Sequence, residues 1–222
     1  MSMAASCMRI KLSDVAKRYR REWILRKINL DLQEGGRYGI KGPNGSGKST
    51  LLKMLSGHLT PTKGSIQFLR EGQEIPVAEV YHHLAYAAPY IELIEEFTLK
   101  EAIHFHQRFR PLLTDLTVDA LIDRLGLQRA RSLPVAQFSS GMKQRLKLAL
   151  ACCTQANYIL LDEPTTNLDE QGVNWYHELL NDFIGTRLLV IASNVPDDYR
   201  ICQEVVDVME FKRSRSTPKS NS

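Results

Sequence analysis

The sequence predicts an α/β protein with a mostly parallel, buried core sheet, an antiparallel β part towards the N-terminus and an inserted α-helical lobe. Three observations lead there. Short apolar runs at residues 158–162 and 187–192 alternate with helical patterns, as strands buried on both faces of a parallel sheet require. A glycine-rich loop at residues 42–49 falls between a strand pattern and a helix pattern. The middle third, about residues 89–155, carries helical periodicity and reads as the lobe.

Taken in order, residues 9–12 and 28–32 alternate apolar with polar side chains, which suits half-buried strands. Gly35-Gly36 makes a turn, and residues 37–40 form a short strand before the glycine-rich loop. Leu51, Leu52, Met54 and Leu55 give a helical stripe that closes at Gly57, the position after a helix end that favours glycine. Pro61-Thr62-Lys63-Gly64 turns the chain into a strand at residues 65–69 and a polar hairpin at Glu71-Gly72. In the lobe, Thr98-Leu99-Lys100-Glu101 is a capping box that opens a helix with apolar residues at 99, 102, 103, 105 and 109. A second helix spans about 118–125 before Gly126, and a third runs from 139–141 to about 154. The core then resumes with a strand at 158–162, a helix at about 170–183, and strands at 187–192 and 205–211.

Composition narrows the class. The 222 residues are 43% hydrophobic with a net charge of +4, too apolar and too weakly charged for a disordered chain. No apolar run reaches the roughly 18 residues of a membrane-spanning helix, and residues 1–8 lack the basic-then-apolar order of a signal peptide. The cysteines at 7, 152, 153 and 202 have no metal-ligand spacing and read as reduced thiols of a cytoplasmic protein. Basic and acidic residues balance over the first 211 positions, so the whole excess lies in residues 212–222. One domain is expected over 1–211, followed by a basic, disordered tail at 212–222.

Gly42-Pro43-Asn44-Gly45-Ser46-Gly47-Lys48-Ser49 fits the P-loop pattern G-x-x-x-x-G-K-[ST]. Glycines let successive backbone N–H groups point at one anion, and the helix that opens at Lys48 adds its positive dipole end. Residues 42–50, Thr50 included, are the expected nucleotide cradle. Lys48 would bridge the β- and γ-phosphates, and the Ser49 hydroxyl would ligate Mg²⁺. The fold class is therefore that of a P-loop NTPase. Asp162 ends an apolar strand, which brings its carboxylate to the sheet's carboxyl edge as a Mg²⁺ ligand. Glu163 is placed to orient and deprotonate an attacking water.

Further motifs narrow the class. Phe138-Ser139-Ser140-Gly141-Met142-Lys143-Gln144-Arg145 resembles the signature of ATP-binding-cassette (ABC) ATPases. Tyr158-Ile159-Leu160-Leu161-Asp162-Glu163 resembles their Walker B strand, and Thr166-Asn167-Leu168-Asp169 their D-loop. Tyr19 lies where the family usually has an aromatic residue stacked on adenine. The motifs keep the family's order over about residues 8–211. The resemblance implies ATP and Mg²⁺ as ligands, and a head-to-tail homodimer or paired cassette subunit. In that dimer Ser139 and Gly141 would contact the γ-phosphate bound to the opposite protomer. It also implies integral membrane transporter subunits docked on the lobe near residues 89–97, and a peripheral location at the cytoplasmic face of the membrane. Haem-exporter-type subunits are loosely similar. The neutral body offers no footprint for nucleic acid. The alternative is a soluble cassette ATPase that acts as a slow switch on a protein or nucleic-acid partner.

Three positions depart from the family's pattern. Ser140 replaces a commoner glycine. Pro89 falls where a glutamine usually contacts metal or water, and Glu92 or a water is expected to substitute. Asn194 stands where a histidine usually meets the γ-phosphate, and it cannot carry positive charge. Slow but finite hydrolysis is expected. His104 and His106 point apart on one helix and are not expected to bind metal, and His82-His83 reads as a solvated strand end. Trp23 and Trp175 read as packing residues.

Overall fold

In the computed structural model, which describes residues 7–212, β1 (Met8–Tyr19) and β2 (Glu22–Gln33) form an antiparallel hairpin. Both strands outrun the predicted stretches. Register shifts between residues 12 and 18 break the period-two pattern without ending the ladder, and Asn29 accepts the Asp14 N–H at 2.9 Å across one of them. The chain continues through β3 (Arg37–Lys41), α1 (Lys48–Leu55), β4 (Lys63–Arg70) and the two-residue β5 (Gln73–Glu74). β4 pairs along the free side of β1, so this sheet has the order β2-β1-β4-β5.

A 3₁₀ segment, Val77–His82, leads into β6 (Leu84–Ala87), a strand that was not predicted. Its four residues include two alanines, too little β-branched content to stand out. The lobe follows as α2 (Leu99–Phe109), α3 (Val118–Leu125) and α4 (Ser140–Cys152). The capping box forms as expected: the Glu101 carboxylate accepts the Thr98 N–H at 2.8 Å, and Thr98 Oγ1 accepts the Glu101 N–H at 3.3 Å. β7 (Tyr158–Asp162), α5 (Glu170–Phe183), β8 (Leu188–Ser193) and β9 (Glu204–Asp207) complete the core. The second sheet is parallel throughout, in the order β6-β7-β8-β3-β9.

The predicted last strand, 205–211, needs correction. It ends at Asp207, whose carboxylate accepts the Met209 N–H at 2.9 Å and turns Val208–Phe211 into a 3₁₀ segment. Lys212, the first residue of the expected tail, is tied to the body by a 3.2 Å bond from its ammonium to Gly45 O. The rest of the expected tail, 213–222, lies outside the described residues. His82-His83 directly precede β6, with His82 exposed at the end of the 3₁₀ segment and His83 half-buried, its Nδ1 2.7 Å from Asn157 Oδ1. His106 shares a 2.7 Å hydrogen bond with Thr154, and burial pushes its imidazole down to about 4. Trp175 packs as expected, donating to Arg124 O at 2.7 Å, whereas the Trp23 ring has Arg18, Arg26 and Lys63 around it at 5.2–5.6 Å.

Two apolar clusters cover opposite faces of the parallel sheet. Ile159, Leu161, Leu189 and Ile191 face the lobe, together with Leu99, Ile103, Leu121 and Leu146. Tyr158, Leu160, Leu188, Val190 and Ala192 face α1 and the antiparallel part. Such strict alternation follows from the period of two along a strand. Cys152 and Cys153 are free and buried, and burial raises the Cys152 thiol to about 12. No helix among the described residues is long and apolar enough to cross a membrane.

Candidate active site

β3 ends at Lys41, and the glycine-rich loop carries the chain to α1 at the carboxyl edge of the parallel sheet. Gly47, which precedes α1, has φ 107°, and a Cβ there would lie 3.1 Å from the Ile24 and Leu25 side chains. Only glycine takes that backbone with that clearance. The first turn of α1 has no acidic residue, so its N–H groups and dipole remain available to an anion.

Lys48 is 5% exposed. Its ammonium donates to Gly42 O at 2.9 Å and Pro43 O at 3.3 Å, and pairs with Glu163 Oε1 at 2.9 Å. Glu163 itself stands just past β7 with φ 47°, an uncommon left-handed setting for a residue with a side chain. Its N–H donates to Ala192 O at 2.8 Å, which fixes that turn against β8. Ser193, the last residue of β8, directs its hydroxyl to the buried Asp198 at 2.5 Å and lies 3.3 Å from Glu163 Oε2. Asn194 follows, and its amide donates to Asn44 Oδ1 at 3.3 Å. Ends of adjacent strands thus converge on the loop, as in open α/β sheets generally.

Asp162 is 1% exposed, and neither carboxylate oxygen has a hydrogen-bond partner of ordinary geometry among the described residues. Burial raises its pKa, while the neighbouring Ser49 hydroxyl and the Lys48 and Lys53 ammonium groups favour the charged form. A buried carboxylate left without partners beside a hydroxyl fits a hard cation that takes oxygen ligands. No group of three or more His, Cys, Asp or Glu among the described residues could hold a metal by itself. Mg²⁺ characteristically binds through one or two carboxylates plus phosphate and water oxygens, and Asp162 and Ser49 supply that short protein set.

Tyr19, loop residues 44–50, Pro89, Glu163, Thr166 and Asn194 line one cleft of about 530 Å³. The predicted residues therefore meet, with Gly42 and Pro43 beneath the cleft holding Lys48. Glu92 does not join them. It faces a second, apolar groove, and its charge acts on Lys147. Ser139 and Gly141 are also outside the cleft. Ser139 caps α4 by accepting the Met142 N–H at 3.2 Å, and a Cβ on Gly141 would lie 3.1 Å from Asn167 O. The signature turn packs on the loop after β7. Thr166 was read only as part of the D-loop, and Ser193 and Lys212 were not singled out for the site, because neither belongs to a motif with a pattern of its own.

The sequence model described as ABC transporter matches residues 25–166, well over half of the chain. The chain belongs to the ABC transporter family. A relative of this ABC cassette is SrtF of Streptococcus pyogenes, a lantibiotic transport ATP-binding protein, 31% identical over 207 residues that cover 91% of this chain and 84% of SrtF. The ABC transporter ATP-binding protein YybJ of Bacillus subtilis is 28% identical over 201 residues, covering 90% of this chain and 92% of YybJ. Among solved structures, a bacterial ABC transporter cassette determined as a dimer superposes with a TM-score of 0.74 at 22% identity, over 92% of this chain and 99% of that one. That likeness shows that this cassette has the ABC ATPase fold.

Proposed function

We propose that the chain is the ATP-binding and ATP-hydrolysing subunit of an ABC transporter. The observation that carries this reading is the meeting of Lys48, Ser49, Glu163 and Asn194 at one glycine-rich loop on the carboxyl edge of a parallel sheet, with Asp162 buried beside Ser49. Tyr19, half exposed on the cleft wall, stacks on adenine. The N–H groups of residues 44–50 and the Lys48 ammonium hold the phosphates, so Lys48 must leave Glu163 when ATP binds. Asp162 and Ser49 hold Mg²⁺, which supplies neutralisation of charge that develops on the phosphates. Glu163, released from Lys48, orients a water and takes its proton. Asn194 donates a hydrogen bond to the γ-phosphate without adding charge.

Ser139 and Gly141 lie away from their own cleft, which supports a role towards a second cassette in a head-to-tail dimer. ATP then closes the dimer, and hydrolysis reopens it. The domain reading is one ABC domain over 1–211, with the lobe at about 89–155. The cassette works beside the membrane without entering it and needs no nucleic acid. No observation favours the soluble-switch alternative.

Membrane subunits dock in the apolar groove of about 560 Å³ between β6, residues 90–97, α2 and α4. Phe109 at its rim is 73% exposed, and Phe97, Phe105 and Phe109 stack edge to face along it. Exposed aromatic side chains of this kind serve as contact anchors. Phe109→Asp should leave ATP affinity unchanged and abolish co-purification with the membrane subunits. Full retention of the complex would argue against the groove.

Asn194→His places a cation-capable group at the γ-phosphate, and steady-state phosphate release should rise. An unchanged or lower rate would show that Asn194 is not what limits hydrolysis.

A further inference from the structure

A second buried carboxylate stands at the same strand ends as Glu163. Asp198, in the 3₁₀ segment Pro196–Tyr199 that follows β8, is 1% exposed and does not line the nucleotide cleft. Each of its oxygens accepts one hydroxyl at 2.5 Å: Thr165 Oγ1 donates to Oδ1, and Ser193 Oγ to Oδ2. Its backbone carbonyl accepts the buried Tyr176 hydroxyl of α5 at 2.9 Å. The adjacent Asp197 takes the imidazole of His177 at 2.9 Å, so the Asp198 carboxylate is held by hydroxyls rather than by that ring. A buried carboxylate is costly to leave without hydrogen bonds, which ties both hydroxyls to it.

Thr165 belongs to the turn that carries Glu163. Glu163 has its left-handed φ of 47°, and such a setting persists only where neighbouring structure fixes it. The Thr166 N–H closes the turn by donating to Glu163 O at 3.2 Å. The first residue of the turn is fixed by its own N–H bond to Ala192 O, and the third, Thr165, by Asp198. On the lobe side, Pro164 O accepts the Gln144 amide of α4 at 2.7 Å. Ser193 adds a constraint at the side chain. A hydroxyl has one hydrogen, and Asp198 takes it, while the Val195 N–H donates to the same oxygen at 3.0 Å. The Ser193 oxygen thus keeps one orientation, 3.3 Å from Glu163 Oε2.

We propose that Asp198 is a positioning residue for Glu163. It clamps the turn after β7 to the end of β8 through Thr165 and Ser193, and so keeps the Glu163 carboxylate aimed at the attacking water. The inference rests on the reading of Glu163 as the general base. Asp198 itself touches neither nucleotide nor water in this role.

The test is phosphate release from the full chain, with ATP affinity and thermal unfolding measured on the same variants. Asp198→Ala removes both acceptors and should lower turnover by about 10²-fold, the cost of displacing a reacting group by about 1 Å, with ATP affinity unchanged. Asp198→Asn keeps the shape but offers one acceptor to two hydroxyls, and should lose a smaller part of the rate. It carries the test if the alanine variant does not fold. Thr165→Val should also slow turnover, whereas Thr165→Ser keeps the hydroxyl and should retain most of it. The deciding measurement adds Asp198→Asn to Glu163→Gln. With the positioned carboxylate gone, no further loss of rate is expected, because residues that act as a unit are not additive. An equal further loss there would mean that Asp198 serves the fold in general, and it overturns the proposal, as does unaltered turnover in Asp198→Asn. Undiminished turnover in Glu163→Gln alone overturns the reading of Glu163 as base, and the proposal with it.

Discussion

Replacing Glu163 with glutamine should lower ATP turnover by about 10²–10⁴-fold, the usual contribution of a general base, while ATP affinity rises. The two effects have one origin in the structure. Glu163 is both the carboxylate at the cleft and the partner that holds Lys48 at 2.9 Å. A glutamine is nearly the same size, so the left-handed turn that carries it and its N–H bond to Ala192 O stay in place. It cannot accept the proton of water, and it no longer binds Lys48 as an ion pair. ATP then gains the lysine without first displacing a carboxylate. Phosphate release and equilibrium ATP binding measured on the same preparation check both halves. Turnover above one tenth of the unaltered rate would remove Glu163 from the role of base, and weaker binding would mean that the ion pair does not oppose nucleotide.

Lys48→Ala should weaken ATP binding by about 10–100-fold, the equivalent of a charged hydrogen bond of roughly 1.5–3 kcal/mol. Loss of Lys48 also leaves the carbonyls of Gly42 and Pro43 without their shared donor and Glu163 without its counter-charge. The gain expected of Glu163→Gln comes from freeing Lys48, so it should shrink when Lys48 is absent, and the Lys48→Ala/Glu163→Gln double variant should bind ATP less well than the sum of the single effects predicts. Calorimetric titration of all three variants forms the cycle. Strict additivity would show that the pair seen here has no energetic weight.

Much of this site was legible in the sequence because its parts are local. Residues 42–49 contain their own turn chemistry, and Asp162-Glu163 follow an unbroken apolar strand. Long-range placement was less legible. β1 and β2 looked like fragments because register shifts interrupt their alternation, although pairing carries on across them. β6 was missed because alanine-rich edge residues gain strand character only from pairing with β7. The last strand was read too long because the apolar stretch 205–211 does not reveal that Asp207 caps a 3₁₀ turn. Ser139 and Gly141 were singled out by resemblance, and the fold gives them no contact with their own cleft. The expectation for Glu92 failed for a geometric reason. Spacing along the chain brings it near the junction, but residues 89–90 divide two cavities, and Glu92 falls on the far side.

The alternation along β7 and β8 has a mechanical consequence. Odd-numbered residues of these strands belong to the lobe's apolar cluster, and even-numbered ones to the cluster that seats α1. The two clusters are separate and share only the backbone between them. A shift of the lobe would therefore bear first on the odd-numbered side chains of both strands, whereas the side chains packed beneath the phosphate loop belong to the other cluster. Asp162 ends β7 and Glu163 follows it, so both carboxylates stand where the strand shared by the two clusters meets the phosphate loop.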